Sequence, residues 1–92
     1  DAIPHGKELV ISVASLRLDA VLSRGFGMGR GDAADLIRAG RVQIDHHLCG
    51  KTDQVVGEEA LLTVRGKGRL KLKGMTGTSK SGRIQVRAER FG

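Results

Sequence analysis

Five arginines recur along the first half of the chain, and their type and spacing point to one kind of chemistry. They are Arg17, Arg24, Arg30, Arg38 and Arg41. A guanidinium presents five N–H donors in a planar fork that matches the oxygens of a phosphate or a carboxylate. Seven positions are about two turns of a helix, so the first two arginines fall on nearly the same stripe. The pattern indicates a surface that binds anions.

The overall charge supports this interpretation. The 92 residues include 16 Lys and Arg against 10 Asp and Glu, giving a formal net charge of +6 and a pI near 10.3. The excess is segregated, because residues 1–64 carry −2 and residues 65–92 carry +8. A domain pI above about 9 with clustered cations is the electrostatic pattern expected of a nucleic-acid-binding protein.

Composition limits the broad class. At 39% hydrophobic and 28% charged residues, the chain can bury one modest core. Its single Cys49 rules out an internal disulfide, and no run approaches the ~20 apolar residues of a membrane span. We expect a soluble protein of the cytoplasm, or of the plastid stroma in a plant. The chain begins at Asp1, which leaves open whether it is a piece of a longer protein.

Hydrophobic periodicity predicts two short helices that would position the arginines. Residues 17–24 place Leu18, Val21 and Leu22 on one face. The glycines of GFGMG at 25–29 interrupt this helix. A second helix is predicted from about Arg30 to Gly40, with Ala33, Leu36 and Ile37 as its buried face.

Strands are predicted over the rest of the chain, at residues 8–13, 41–44, 60–65, 69–73 and 83–91. Residues 45–54 are expected to be a turn-rich connection and residues 74–82 a flexible loop. The last two strands alternate in period two, which predicts a hairpin with an apolar and a basic side. The apolar side holds Leu70, Leu72, Ile84, Val86 and Ala88. The basic side holds Arg69, Lys71, Lys73, Arg83 and Arg87.

The stretch LRLDAVLSRGFGMGRGDAADLIRAGRVQID resembles the RNA-binding domain family named after ribosomal small-subunit protein S-four. Its opening is matched by Arg17, Leu18 and Asp19, and the remainder by Arg30, Ala33 or Ala34, Ile37, Gly40, Val42 and Ile44. The match covers about residues 15–65. The later stretches VRGKGRLKL and GRIQVRAERF are similar to the C-terminal part of larger bacterial and plastid RNA-binding proteins.

This resemblance implies an α+β fold in which two short helices pack on a small mixed, mainly antiparallel sheet, the alpha-L RNA-binding motif, with a C-terminal β-hairpin extension. We expect a leading segment and strand over 1–14, an S-four-like core over 15–66 and the basic hairpin over 67–92. Two positions depart from the family pattern. Gly29 stands where Ser usually precedes the second helix, and Asp45-His46 stand where Asn-Gly usually follows the strand.

The resemblance implies that structured RNA, either rRNA or tRNA, is the partner, on or near the ribosome. The residues favour recognition by phosphate and shape, because two Phe and no Trp or Tyr offer no platform for stacked bases. The candidate RNA-binding residues are Arg17, Arg24, Arg30, Arg38, Arg41, Lys51, Arg65, Lys67, Arg69, Lys71, Arg83 and Arg87. Two alternatives stay open: Arg38 can pair with Asp35 or Asp32, and Arg17 can be held by Asp19 or by a carbonyl.

Other motifs fail on spacing. GKT at 50–52 lacks the earlier glycine of a phosphate loop, because position 45 is Asp, and His46, His47 and Cys49 are too few and wrongly spaced for a closed zinc site. RGD at 30–32 falls at a predicted helix start. No catalytic constellation appears, so we expect no enzyme activity, cofactor, metal or small-molecule substrate.

Two alternative functions remain. The chain can be the targeting domain of an RNA-modifying enzyme, such as a pseudouridine synthase, whose catalytic part lies outside these residues. The basic hairpin can instead dock an acidic protein or an anionic membrane, although no basic amphipathic helix supports a membrane role.

Overall fold

The computed structural model describes residues 6–78 and 82–91 and forms two layers, helices on one side of a single sheet. Its elements are β1 (Lys7–Val13), α1 (Leu18–Phe26), α2 (Arg30–Arg38), β2 (Val42–Ile44), β3 (His47–Leu48), β4 (Leu61–Val64), β5 (Gly68–Thr78) and β6 (Ile84–Phe91). The strand order is β1-β6-β5-β4-β2-β3, and the named strand pairs are all antiparallel. The predicted α+β class, with two helices on a mainly antiparallel sheet, is confirmed, and the named strand pairs include no parallel one.

The sheet joins the two ends of the described chain. The first strand, β1, pairs along its whole length with the last, β6, in a register that places Ile11 beside Val86. The adjoining pair, β5 with β6, is the predicted basic hairpin. The leading strand, the hairpin and the strands between them therefore form one surface that supports the helices.

One apolar layer lies between helices and sheet, as the periodicity predicts. In α1, Leu18, Val21 and Leu22 are buried, and in α2, Ala33 and Ile37 are buried whereas Leu36 is half-buried. The sheet contributes Leu62, Leu70, Leu72, Val86 and Ala88, among others. Since α1 packs against β1, β6 and α2, its position sets where the arginines at both of its ends lie.

Glycines separate the two helices in the predicted place but with different individual roles. Gly25 remains inside α1, and Gly27 ends it in the left-handed conformation at φ 68°. Gly29 is the residue before α2, at φ −70° and ψ 156°, with no side-chain cap. A glycine is favoured at the left-handed position because it carries no Cβ.

Two predicted connections contain strand structure. The predicted loop at 74–82 is wrong for residues 74–78, because β5 continues to Thr78 through register shifts between Leu72 and Gly74 and between Met75 and Gly77. Residues 79–81 of that prediction lie outside the described residues. The predicted connection at 45–54 includes β3. Such a two-residue strand is too short to show a period.

The turn between β2 and β3 explains the departure at Asp45-His46. Ile44 pairs with His47, so the two intervening residues form a two-residue hairpin loop. Both are left-handed, with φ 50° at Asp45 and 73° at His46. This is the turn geometry for which Asn-Gly is favoured. Asp45 is further fixed because its Oδ1 accepts a hydrogen bond from the Leu61 amide at 2.9 Å.

Candidate nucleic-acid interface

Four of the predicted arginines converge on one open groove of about 340 Å³ beside the start of α1. They come from separate parts of the chain: Arg17 just before α1, Arg24 near its end, Arg30 at the start of α2, and Arg83 just before β6. The lining residues are Val13, Ala14, Ser15, Arg17, Ala20, Ser23, Arg24, Arg30 and Arg83. No carboxylate is among them, so this part of the described surface is strongly cationic. We call it the arginine groove.

A nearly buried carboxylate lies behind two of these arginines. Arg17 donates from Nε to Asp19 Oδ1 at 3.2 Å and from Nη2 to Oδ2 at 3.1 Å. Arg30 donates from Nη2 to the same Oδ2 at 3.3 Å. Arg17 is therefore held by Asp19 and not by a carbonyl, which were the two partners left open for it. Arg30 is bonded to the same carboxylate.

Arg83 is held against β1 by hydrogen bonds to Ser12. Its Nε donates to the Ser12 hydroxyl oxygen at 3.0 Å and its Nη2 to the Ser12 carbonyl at 2.8 Å. The alternation placed Arg83 on the basic side of the hairpin, but it lies ahead of β6 and lines the groove beside α1. Fixing a guanidinium before a ligand arrives reduces the side-chain entropy lost on binding.

Arg24 completes the groove from the last turn of α1. It is exposed and has no side-chain hydrogen bond or ion pair with any residue in 6–78 or 82–91. The neighbouring Ser23 hydroxyl donates to the Met28 carbonyl at 2.6 Å, which leaves its oxygen as an acceptor only. Arg24 is thus the groove cation whose donors all remain available.

The first amides of α1 are already occupied. The Leu18 amide donates to the Gln54 carbonyl at 2.8 Å, and the Asp19 amide donates to the Thr52 carbonyl at 3.1 Å. The residues that follow β3 are held against the start of α1 by these bonds and by the Val56 amide, which donates to the Leu16 carbonyl at 2.9 Å. The amides of Leu18 and Asp19, which a helix start often offers to an anion, are therefore not available to an anion in the groove.

The cations of the hairpin strands β5 and β6 lie on the face of the sheet that points away from the helices. Register places Arg69, Lys71 and Arg87 on the side away from Leu70 and the helices. Several cations there have partners: Lys71 donates to the Glu59 carbonyl at 2.7 Å, and Arg87 lies 3.8 Å from Glu8. Lys73 contacts Glu89 at 2.8 Å and Glu8 at 4.0 Å. The hydrogen bond and charge of Glu89 raise the pKa of Lys73 above its ordinary value.

The remaining predicted residues lie away from the groove. Arg41 and Lys67 border a second depression, of about 360 Å³, together with Asp32 and Asp35. The other three, Arg38, Lys51 and Arg65, are exposed. Within the described chain, Arg38 forms no ion pair with either aspartate proposed for it. The twelve predicted residues thus divide over several surfaces.

Sequence reasoning missed two residues that build the groove. The sequence indicates Asp19 only as a partner of Arg17, and it gives no indication of Ser12. The Arg-x-Asp spacing at 17–19 is a local signal for the first contact. The Ser12–Arg83 contact joins residues 71 positions apart, and no local pattern indicates it.

The fold and the groove together define the class of protein as a small α+β domain with a cluster of positioned arginines. No protein-family model matches the chain. The sequence is similar to the ribosome-associated protein quality control protein P2 of Bacillus subtilis (strain 168), with 32% identity over 79 residues. The matching region is 86% of this chain and 31% of that protein, so the chain spans about a third of the relative's length.

Within residues 6–78 and 82–91, no cluster of three or more His, Cys, Asp or Glu side chains is arranged to hold a metal ion. Neither helix in the same ranges is long and apolar enough to cross a membrane.

Proposed function

We propose that this domain binds folded RNA, either rRNA or tRNA, through phosphate contacts in the arginine groove, and that it acts at the ribosome. The observation that carries the proposal is the convergence of Arg17, Arg24, Arg30 and Arg83 on one open surface without a lining carboxylate. Guanidinium groups bind phosphate oxygens by charge-assisted hydrogen bonds, which are about twice as strong as neutral ones. On this proposal the chain itself is a binding module and not an enzyme.

The few aromatic residues favour folded over single-stranded RNA. Phe26 and Phe91 are both half-buried, and Phe26 packs against the core. Binders of single strands stack successive bases on exposed aromatic rings. A surface of positioned cations without such rings suits the regular phosphate spacing of a helical or folded RNA.

The ribosomal part of the proposal is supported by similarity. The similar protein of Bacillus subtilis is named as a ribosome-associated protein. The resemblance of residues 15–65 to the S-four RNA-binding family points to the same class of partner. A ribosome-bound domain of this kind would work in the cytoplasm, or in the stroma of a plastid.

A second candidate function is the targeting domain of an RNA-modifying enzyme. The length of the similar Bacillus subtilis protein favours this candidate, because that protein extends well beyond the aligned region. The parent reading frame separates the two candidates, because the second requires a catalytic domain in the same polypeptide.

The test of the proposed function is a salt titration of binding to an RNA hairpin and to ribosomal subunits. If the four groove arginines each neutralise a phosphate, log affinity should fall against log salt with a slope of about −2.8 to −3.6. If all twelve predicted cations contributed, the slope would be about −8 to −11. A slope near zero would refute phosphate-based binding.

A pair of matched variants locates the site. Arg24→Ala removes an exposed groove arginine, and we expect RNA binding to weaken by about 1–3 kcal/mol because a charge-assisted bond is lost. Arg65→Ala removes an exposed arginine outside the groove and serves as the control. Equal losses for both variants would show that net charge, and not the groove, determines affinity.

A further inference from the structure

Asp19 is the one acidic residue of the described chain whose side chain is nearly removed from solvent, at 8% exposure. Its two oxygens accept three guanidinium hydrogen bonds, two from Arg17 and one from Arg30. A buried carboxylate without such donors is strongly unfavourable. The two arginines therefore stabilise Asp19, and Asp19 in turn fixes the two arginines.

The contacts leave most of each guanidinium available. Arg17 directs Nε and Nη2 at Asp19 in a bidentate pair, so three of its five N–H bonds remain. Arg30 directs one N–H at Asp19, so four remain. The side chains stay 43% and 57% exposed, so the free donors reach the groove.

We propose that Asp19 is a positioning residue for phosphate recognition, an inference that rests on the proposed function. By bonding Arg17 and Arg30 through one carboxylate, Asp19 holds their remaining N–H donors as a fixed pair in the groove. The ligand of this pair is a phosphodiester of the folded RNA, whose non-bridging oxygens accept those donors. Binding then depends on the geometry of the guanidinium groups and not on their charge alone.

The positioning role of Asp19 and the net charge of the protein predict opposite effects of Asp19→Asn on RNA affinity. Asp19→Asn raises the formal net charge from +6 to +7. If charge alone governed affinity, the variant would bind a polyanion more tightly. If Asp19 positions the arginines, the variant loses a charged acceptor for three hydrogen bonds, both long side chains regain rotamer freedom, and binding weakens.

The experiment compares Asp19→Asn with Glu58→Gln, using an RNA hairpin as the probe and heparin as an unstructured polyanion. Glu58 is exposed and has no described side-chain partner, so its variant makes the same charge change without touching the groove. We expect Glu58→Gln to bind the hairpin as tightly as wild type or slightly more tightly. We expect Asp19→Asn to bind it about tenfold more weakly, while heparin binding is kept.

A second pair of variants avoids the risk that Asp19→Asn disturbs folding. Arg17→Lys keeps the charge but replaces the planar fork with a single ammonium that cannot bond both carboxylate oxygens in the same way. We expect several-fold weaker hairpin binding, whereas Lys7→Arg, a charge-conserving change at an exposed residue of β1, leaves it unchanged. The NMR resonance of the Arg17 Nε–H reports the hydrogen bond from this group to Asp19. Its chemical shift should change in Asp19→Asn but not in Glu58→Gln.

The outcomes are distinct. Hairpin binding by Asp19→Asn at or above the level of Glu58→Gln, or unaltered binding by Arg17→Lys, would overturn the positioning role while the proposed function stands. Failure of the wild-type protein to bind either RNA hairpins or ribosomal subunits would overturn both. Weaker binding by Asp19→Asn together with a shifted Arg17 resonance supports both.

Discussion

Gly25 lies in α1 directly over Leu70 of β5, and a methyl group added there should destabilise the domain. A Cβ at this position would come within 2.3 Å of Leu70 Cδ2, 3.2 Å of Cδ1 and 3.3 Å of Cγ. Ordinary van der Waals contact begins at 3.4 Å, so helix and side chain must separate by roughly 1 Å. Leu70 is fully buried and cannot swing into solvent.

The size of the effect follows from two opposing terms. Overpacking a core costs about 1–3 kcal/mol, and replacing glycine by alanine inside a helix gains up to about 1 kcal/mol. We therefore expect Gly25→Ala to lose about 1–2 kcal/mol of the free energy of unfolding, measured by urea denaturation. Gly31→Ala is the control, because Gly31 lies in α2 with nothing within 4 Å of an added Cβ. It should be neutral or slightly stabilising.

A double-variant cycle tests the contact itself. Leu70→Ala alone should cost about 2–5 kcal/mol through the cavity it leaves. In that background, Gly25→Ala should increase stability, since the new methyl group enters the cavity instead of striking a side chain. If Gly25→Ala is as stable as Gly31→Ala in the wild-type background, the close approach of α1 to the sheet is refuted.

Three further changes probe other parts of the molecule. His46→Gly should stabilise by about 0.5–1 kcal/mol, because the left-handed conformation at φ 73° costs a residue with a Cβ more than glycine; thermal melting that shows no gain would contradict the turn geometry. Ile37→Ala should cost about 2–5 kcal/mol and Leu36→Ala less, since Ile37 is fully buried and Leu36 only half-buried; equal losses on denaturation would argue against the orientation of α2. Glu89→Gln should lower the pKa of Lys73 toward its ordinary value, as measured by NMR titration of Nζ. Because that pKa is raised in the folded protein, the pair stabilises the fold at neutral pH and loses this effect as alkaline pH passes through the raised value.

The helices and most strands were predictable because each carries an apolar period of its own. Leu18, Val21 and Leu22 recur at helical spacing and are buried in α1. Along β6, Val86 and Ala88 alternate with exposed or half-buried neighbours. In such segments the burial that stabilises the element is the same feature that the pattern detects.

The unpredicted elements are stabilised by contacts that local sequence does not carry. β5 continues past Lys73 because β6 pairs with it through two register shifts, and each shift interrupts the alternation that would reveal the strand. The turn at Asp45-His46 is left-handed without a glycine, and the bond from the Leu61 amide to Asp45 comes from another strand. Such long-range contacts become visible only in the folded chain.

The alternation of apolar and basic residues in the hairpin also predicts which face of the sheet its cations occupy. If Leu70, Leu72, Val86 and Ala88 face the helices, then the cations between them face away from the helices and from Arg17. The alternation that predicts the hairpin therefore conflicts with treating the hairpin cations and the helix arginines as one RNA-binding surface. The described residues extend over 36 × 35 × 21 Å, and the hairpin cations lie on the face of the sheet away from the helices. If RNA contacts the groove alone, the net charge of +6 overstates the charge that it meets. A salt slope set by the four groove arginines, well below that of twelve cations, is the physical consequence.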